Sequence, residues 1–135
     1  MTELLVVGGY VIRGDGKVLR DGVVAVEDNL IVDVGGRELL QEYRRYDRVD
    51  ARDGVVCPGF VNTHSHVAMT LMRGVADDMD VDRWLREKIW PIEAKLEPRD
   101  VYVGTLLGCL ELIRSGTTCV NDMYLMMEEA VKAYT

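Results

Sequence analysis

His64 and His66 are the only histidines in the chain, and a single residue separates them. Side chains of an extended strand alternate between its faces, so residues i and i+2 point the same way. On a strand, both imidazoles project together and Ser65 turns to the opposite face. Two imidazoles held on rigid backbone can converge on one divalent metal ion, and zinc accepts imidazole nitrogen readily. A catalytic zinc keeps three protein ligands and an open water position, so two histidines alone hold a metal weakly. The remaining ligands must come from outside the pair. By itself the spacing is a weak signal, and it fits surface histidines or hydrogen-bonded core histidines as well.

The elements around the pair sharpen the reading. "FVNTHSH" is a strand by composition, preceded by the Cys57-Pro58-Gly59 turn and followed by "VAMTLMRGVADDMD", which reads as a loop. "VDRWLREKIWPIEAKL" is helical in pattern until Pro91, where a helix should end or kink. Pro98 suits the first turn of a new helix. Val103, Leu106, Leu107, Leu110 and Ile113 form an apolar stripe at helical spacing, and Gly116 is a good terminator. "TTCVNDMYL" is another strand and "MMEEAVKAYT" opens another helix. Alternating strands and helices predict an α/β fold with a parallel sheet, either doubly wound or a (β/α)₈ barrel. In such barrels the C-terminal ends of the strands carry the active site, and that is where the histidines fall. A complete barrel takes eight strands and about 250 residues. The sequence is therefore expected to be the front portion of something larger.

Residues 1–57 read as all-β. "LLVVGGYVI" is an apolar strand broken by a Gly-Gly bend. "GDGKV" and "RDGVVAV" carry hairpin signals. "GVVAVEDNLIVDVGG" reads as two short strands joined at Glu27-Asp28-Asn29, and "RELLQEYRRYDRVDARDG" as a loop or short helix leading into another short strand.

Composition narrows the function classes. The 135 residues are 48% hydrophobic and 29% charged, a globular balance that argues against disorder. A net charge of −7 disfavours nucleic acid as a partner. No apolar run approaches the ~20 residues that span a bilayer, and the start of the chain lacks the features of a signal peptide. A cytoplasmic protein with no membrane partner is expected. Cys57, Cys109 and Cys119 show no paired spacing and are expected as buried thiols.

The stretch "VVCPGFVNTHSHVAMTLMRGVADDMDVDRWLREKIWPIEAKL" closely resembles the first barrel segment of the amidohydrolase superfamily. More narrowly, it resembles the deaminases that act on 5′-methylthioadenosine, S-adenosylhomocysteine and related 5′-modified adenosines. "PGFVNTHSH" carries the superfamily likeness, while "MTLMRGVADD" and "WPIEAKL" are more specific to the deaminase branch. The likeness runs on through "GTLLGCLELIRSGTTCVNDMY".

The resemblance implies that residues 1–57 are the N-terminal part of a small β-sandwich. It implies that residues 58–135 are the first βα units of a metal-dependent (β/α)₈ TIM barrel, incomplete in this sequence. It makes His64 and His66 the first two ligands of one divalent metal, zinc by default for imidazole donors. Glu93 matches a glutamate that binds ribose hydroxyls, and Trp84 a tryptophan near the substrate pocket. Without the resemblance, Glu93 reads as a solvated helix-start carboxylate and Trp84 as helix packing.

Asn62 and Thr63 are expected to support the metal strand through hydrogen bonds, and Asp122 to be structural or to back the ligands. Asp77, Asp78, Asp80 and Asp82 are expected to be solvated or capping, and Met69 and Met72 to lie near the pocket mouth. The implied reaction is hydrolytic deamination of the nucleoside at C6 of adenine, giving the inosine analogue and ammonia. No third histidine and none of the family's later ligands is present, nor its proton-shuttling glutamate. The chain alone is expected to be inactive. Two other readings stay open: a hydrolase of the same superfamily acting on guanine, cytosine or a triazine, and a non-catalytic split-barrel module that needs a complementary barrel fragment. Self-association into a homo-oligomer is compatible with all three.

Overall fold

The computed structural model describes residues 2–135. The chain divides into two compact units, the first ending at Pro58 and the second running Gly59–Thr135. Among the described residues no helix is long and apolar enough to cross a membrane.

The first unit is a five-stranded sheet built on β1 (Glu3–Ile12). β2 (Val18–Arg20) and β3 (Val23–Glu27) pair antiparallel with successive parts of β1, and β4 (Leu30–Gly35) extends the sheet from β3. A short helix, α1 (Leu39–Glu42), leads to β5 (Asp47–Val56), which pairs parallel with β1. Valine and isoleucine dominate β1, β3 and β4, as pleated, packed positions favour. Leu5, Val23, Ala25 and Leu39 form the core, with Tyr43 and Tyr46 packed against it.

Two expectations need correction in this unit. Gly8 and Gly9 do not break β1; the strand runs through them, with a register shift against β5 between Gly8 and Tyr10. The glycines answer a close approach of backbone, since a Cβ on Gly9 would stand 2.2 Å from the Arg52 carbonyl oxygen. β5 is also not short. It has ten residues because it follows β1 along almost its whole length, a pairing that the polar sequence of β5 does not announce.

The second unit holds β6 (Phe60–Ser65) and β7 (Thr117–Asp122), paired parallel with Asn62 opposite Val120 and Ser65 opposite Asp122. Between them come a 3₁₀ helix (Val67–Met72), α2 (Val81–Trp84), a π-helical turn (Leu85–Ile89), α3 (Trp90–Glu93) and α4 (Pro98–Arg114); α5 (Met127–Tyr134) follows β7. Ala68, Val101 and Ala130 form its core.

The start of the expected loop after the histidines is thus a 3₁₀ helix with Val67, Ala68 and Met72 buried. Met72 is core, and Met69 alone of the two reaches the cavity described below. Pro91 does not end the helical run. The ladder widens just before it, where the Trp90 N–H reaches back five residues to Leu85. A π-helical turn of this kind absorbs the missing donor and the ring clash that proline brings. Pro98 does open α4, behind a Glu97–Asp100 capping box.

The apolar stripe of α4 lies on its open face, 40% exposed at Leu107 and 72% at Ile113. The buried face is Val101, Gly104, Thr105 and Gly108. Small residues let the 3₁₀ helix settle against α4: a Cβ on Gly108 would stand 2.4 Å from Val67 Cγ1, and one on Gly104 2.5 Å from the Ala68 carbonyl oxygen. The cysteines also depart from expectation. Cys57 and Cys119 are exposed and only Cys109 is partly buried. Burial first, and Asp122 second, push the Cys109 thiol up.

Candidate active site

β6 opens on Phe60 and Val61 and turns polar toward its C-terminal end, where the histidines fall. His64 lies within it and His66 one residue past its end, at φ −132° and ψ 70°. The rings meet edge to face, their centroids 5.0 Å apart, with the two Nε2 atoms 3.3 Å apart. Two imidazole nitrogens bonded to one tetrahedral zinc at ~2.05 Å stand ~3.3–3.4 Å from each other. The pair therefore fits two corners of such a site. The same spacing permits an imidazole–imidazole hydrogen bond in which His64 donates to His66.

Backbone just past β7 orients the histidine pair. His66 Nδ1 faces the Met123 carbonyl oxygen. A carbonyl accepts only, so Nδ1 carries the proton and Nε2 keeps a free lone pair. The Met123 N–H donates to the Ser65 carbonyl at 3.0 Å. Asn121 Nδ2 donates to the Thr63 carbonyl at 3.1 Å, and the His64 N–H to Asn62 Oδ1 at 3.2 Å. Asp122 bridges three elements: Oδ1 accepts the Val67 N–H at 2.9 Å and Oδ2 the Tyr134 hydroxyl at 2.7 Å. Among the described residues no group of three or more His, Cys, Asp or Glu side chains comes together as a metal cage. The two imidazoles converge without a third such side chain beside them among the described residues.

Beside His66 opens a cavity of about 390 Å³, whose lining includes Met69, Trp84, Ile89, Glu93 and Tyr124. The Trp84 indole is pinned, its Nε1–H donating to the Val75 carbonyl at 2.9 Å. Glu93 does not start a helix; it ends α3, half-buried, and Oε1 accepts the Tyr124 hydroxyl at 2.8 Å. Burial first, and the bond to Glu93 second, push the Tyr124 hydroxyl up, so it stays a protonated donor. His66, Trp84 and Glu93 thus line one cavity, and His64 adjoins it through His66. Asp80 caps α2 by accepting the Arg83 N–H at 3.1 Å.

Sequence reasoning missed Tyr124 and the Met123 carbonyl. The available signal was their place, just past the C-terminal end of the second parallel strand, where catalytic groups of α/β folds collect.

Two parallel strands joined through helices, with imidazoles converging at the strand ends, define an α/β arrangement. The chain belongs to the amidohydrolase family, whose sequence profile matches residues 55–135. It is 48% identical, over 98% of its length, to a 5-methylthioadenosine/S-adenosylhomocysteine deaminase of Pelotomaculum thermopropionicum, and spans 31% of that protein. It is also 48% identical, over 96% of its length, to a 5′-deoxyadenosine deaminase of Methanothrix thermoacetophila, spanning 30% of it. Among solved structures, an adenosine deaminase from Xanthomonas campestris with bound zinc superposes with a TM-score of 0.88 at 38% identity. That match covers 98% of this chain and 31% of the other. The chain thus spans about a third of the length of these relatives.

Proposed function

We propose that these residues open a metal-dependent deaminase that hydrolyses adenosine-type nucleosides to the inosine analogue and ammonia. Candidate substrates are 5′-methylthioadenosine, S-adenosylhomocysteine and 5′-deoxyadenosine. The observation that carries this reading is the convergence of His64 and His66 Nε2 at 3.3 Å next to the cavity that holds Trp84 and Glu93. The names of the relatives support the nucleoside. On this reading β6 and β7 are the first two strands of a (β/α)₈ barrel, and residues 1–57 belong to a small β-sandwich.

His64 and His66 hold one divalent ion, zinc by their donor chemistry. When bound, that ion activates water for attack near neutral pH. The chain's own residues position the ligand and the substrate. The Met123 carbonyl fixes the His66 tautomer. Glu93 accepts hydrogen bonds from the ribose hydroxyls, as an ionised carboxylate with two oxygens can. Trp84 walls the apolar side of the cavity. With two ligands and no third histidine, the 135 residues by themselves release no ammonia.

The test uses the natural polypeptide that carries this sequence, zinc-loaded, with ammonia release measured on the three nucleosides and on guanine, cytosine and a triazine. Turnover of nucleosides, lost together with bound zinc in His66→Ala, supports the proposal. Turnover of free bases alone would move the substrate to the other branch, and zinc content unchanged in both His64→Ala and His66→Ala would remove the metal assignment.

A further inference from the structure

Tyr124 is held at both ends. Its ring packs on the core of the second unit, formed by Ala68, Val101 and Ala130. Its hydroxyl donates to Glu93 Oε1 at 2.8 Å, across 31 residues of sequence. Both side chains line the cavity beside His66. A carboxylate at the end of a glutamate side chain turns readily about its last torsion, which has a broad profile. A donor fixed to one oxygen restrains that rotation and leaves Oε2 and the second lone pair of Oε1 to a ligand in a defined plane. A single hydroxyl can follow a rotating carboxylate, whereas two adjacent hydroxyls that must donate together need the plane set in advance.

We infer that Tyr124 is a positioning residue that presets the Glu93 carboxylate to recognise a vicinal diol. Tyr124 thereby sets the preference for ribosides over 3′-deoxyribosides. This rests on the reading of Glu93 as the residue that meets the sugar. Tyr124→Phe keeps the packed ring and removes only the donor, so the variant tests orientation without opening a hole in the core.

The experiment measures kcat and KM of the zinc-loaded natural polypeptide for 5′-methylthioadenosine and its 3′-deoxy analogue. Calorimetric Kd values for both ligands are taken in parallel. The proteins are wild type, Tyr124→Phe, Glu93→Gln and the double variant. The expected result is a loss of about tenfold for the diol in Tyr124→Phe, falling mainly on KM and Kd, with a smaller loss for the deoxy analogue. The riboside preference then shrinks, and Tyr124→Phe adds little on top of Glu93→Gln. Equal losses on both ligands, or an unchanged preference, overturn the assignment of Tyr124. If wild type prefers the diol and Tyr124→Phe keeps that preference, only Tyr124 fails. If wild type neither binds nor turns over ribosides, the reading of Glu93 fails with it.

Discussion

Four tyrosine hydroxyls donate to carboxylates: Tyr43 to Asp33, Tyr46 to Glu27, Tyr124 to Glu93 and Tyr134 to Asp122. Burial first, and the neighbouring carboxylate after it, push the Tyr43, Tyr124 and Tyr134 hydroxyls up. For Tyr46 the hydrogen bond to Glu27 comes first and burial second, and together they raise it to about 12 from an ordinary 10. Its proton is held more tightly folded than unfolded. The stabilisation is therefore complete below pH ~10 and is lost as pH rises through about 12. Denaturant unfolding of wild type should show this alkaline loss in the first unit. Tyr46→Phe should be less stable at neutral pH and show a flatter profile between those limits. A profile as steep as wild type in Tyr46→Phe would locate the alkaline transition elsewhere.

At the scale of elements, α4 and the 3₁₀ helix behind the histidines meet through glycine. Alanine at Gly108 would raise helix propensity by about 1 kcal/mol. Its Cβ, however, would fall 2.4 Å from Val67 Cγ1 and 2.9 Å from the Val67 carbonyl oxygen. Backbone cannot yield as a flexible side chain does, and such overpacking costs about 1–3 kcal/mol. Gly108→Ala is therefore expected to destabilise the second unit in urea unfolding. Leu110→Ala, on the open face at 56% exposure, should stay within about 0.5 kcal/mol of wild type. The reverse order of the two variants would mean that α4 buries its leucine stripe. The contact reaches the site, because Val67 follows His66 directly and its N–H is held by Asp122.

At the scale of the whole molecule, each unit leaves apolar side chains in solvent. Leu30 and Ile31 are exposed on β4, Phe60 and Val61 on β6, and Leu106, Leu110 and Ile113 on α4. Contiguous apolar surface and unpaired strand edges favour association. Expressed as these 135 residues alone, the chain is expected to sediment with increasing mass as concentration rises and to bind a hydrophobic dye. Replacing Leu106 and Leu110 with lysine should lower both signals without lowering the unfolding midpoint. Monomeric sedimentation of the unaltered chain at every concentration would show these faces to be inert.

Local signals in the chain were enough for the strand that carries His64 and ends just before His66, the α/β alternation of the second half, the helix opened by Pro98 and the β-rich first half. These are local matters: a two-residue side-chain period, a turn chemistry, a capping residue. The sequence also marked Glu93 and Trp84, through likeness rather than through any physical signal of their own. Which face of α4 is buried came from packing, because burial depends on how close a neighbour's backbone comes, and glycines admit the 3₁₀ helix where leucines cannot. Tertiary structure alone set β5 beside β1, a pairing between residues 43 to 45 positions apart (Leu4 with Asp47, Val11 with Val56), with β5 itself a polar sequence. It alone brought Tyr124 to Glu93 at the end of α3 and the Met123 carbonyl to His66 past β6, since hydrogen bonds across 31 and 57 residues are made by tertiary packing and leave no periodicity in the chain.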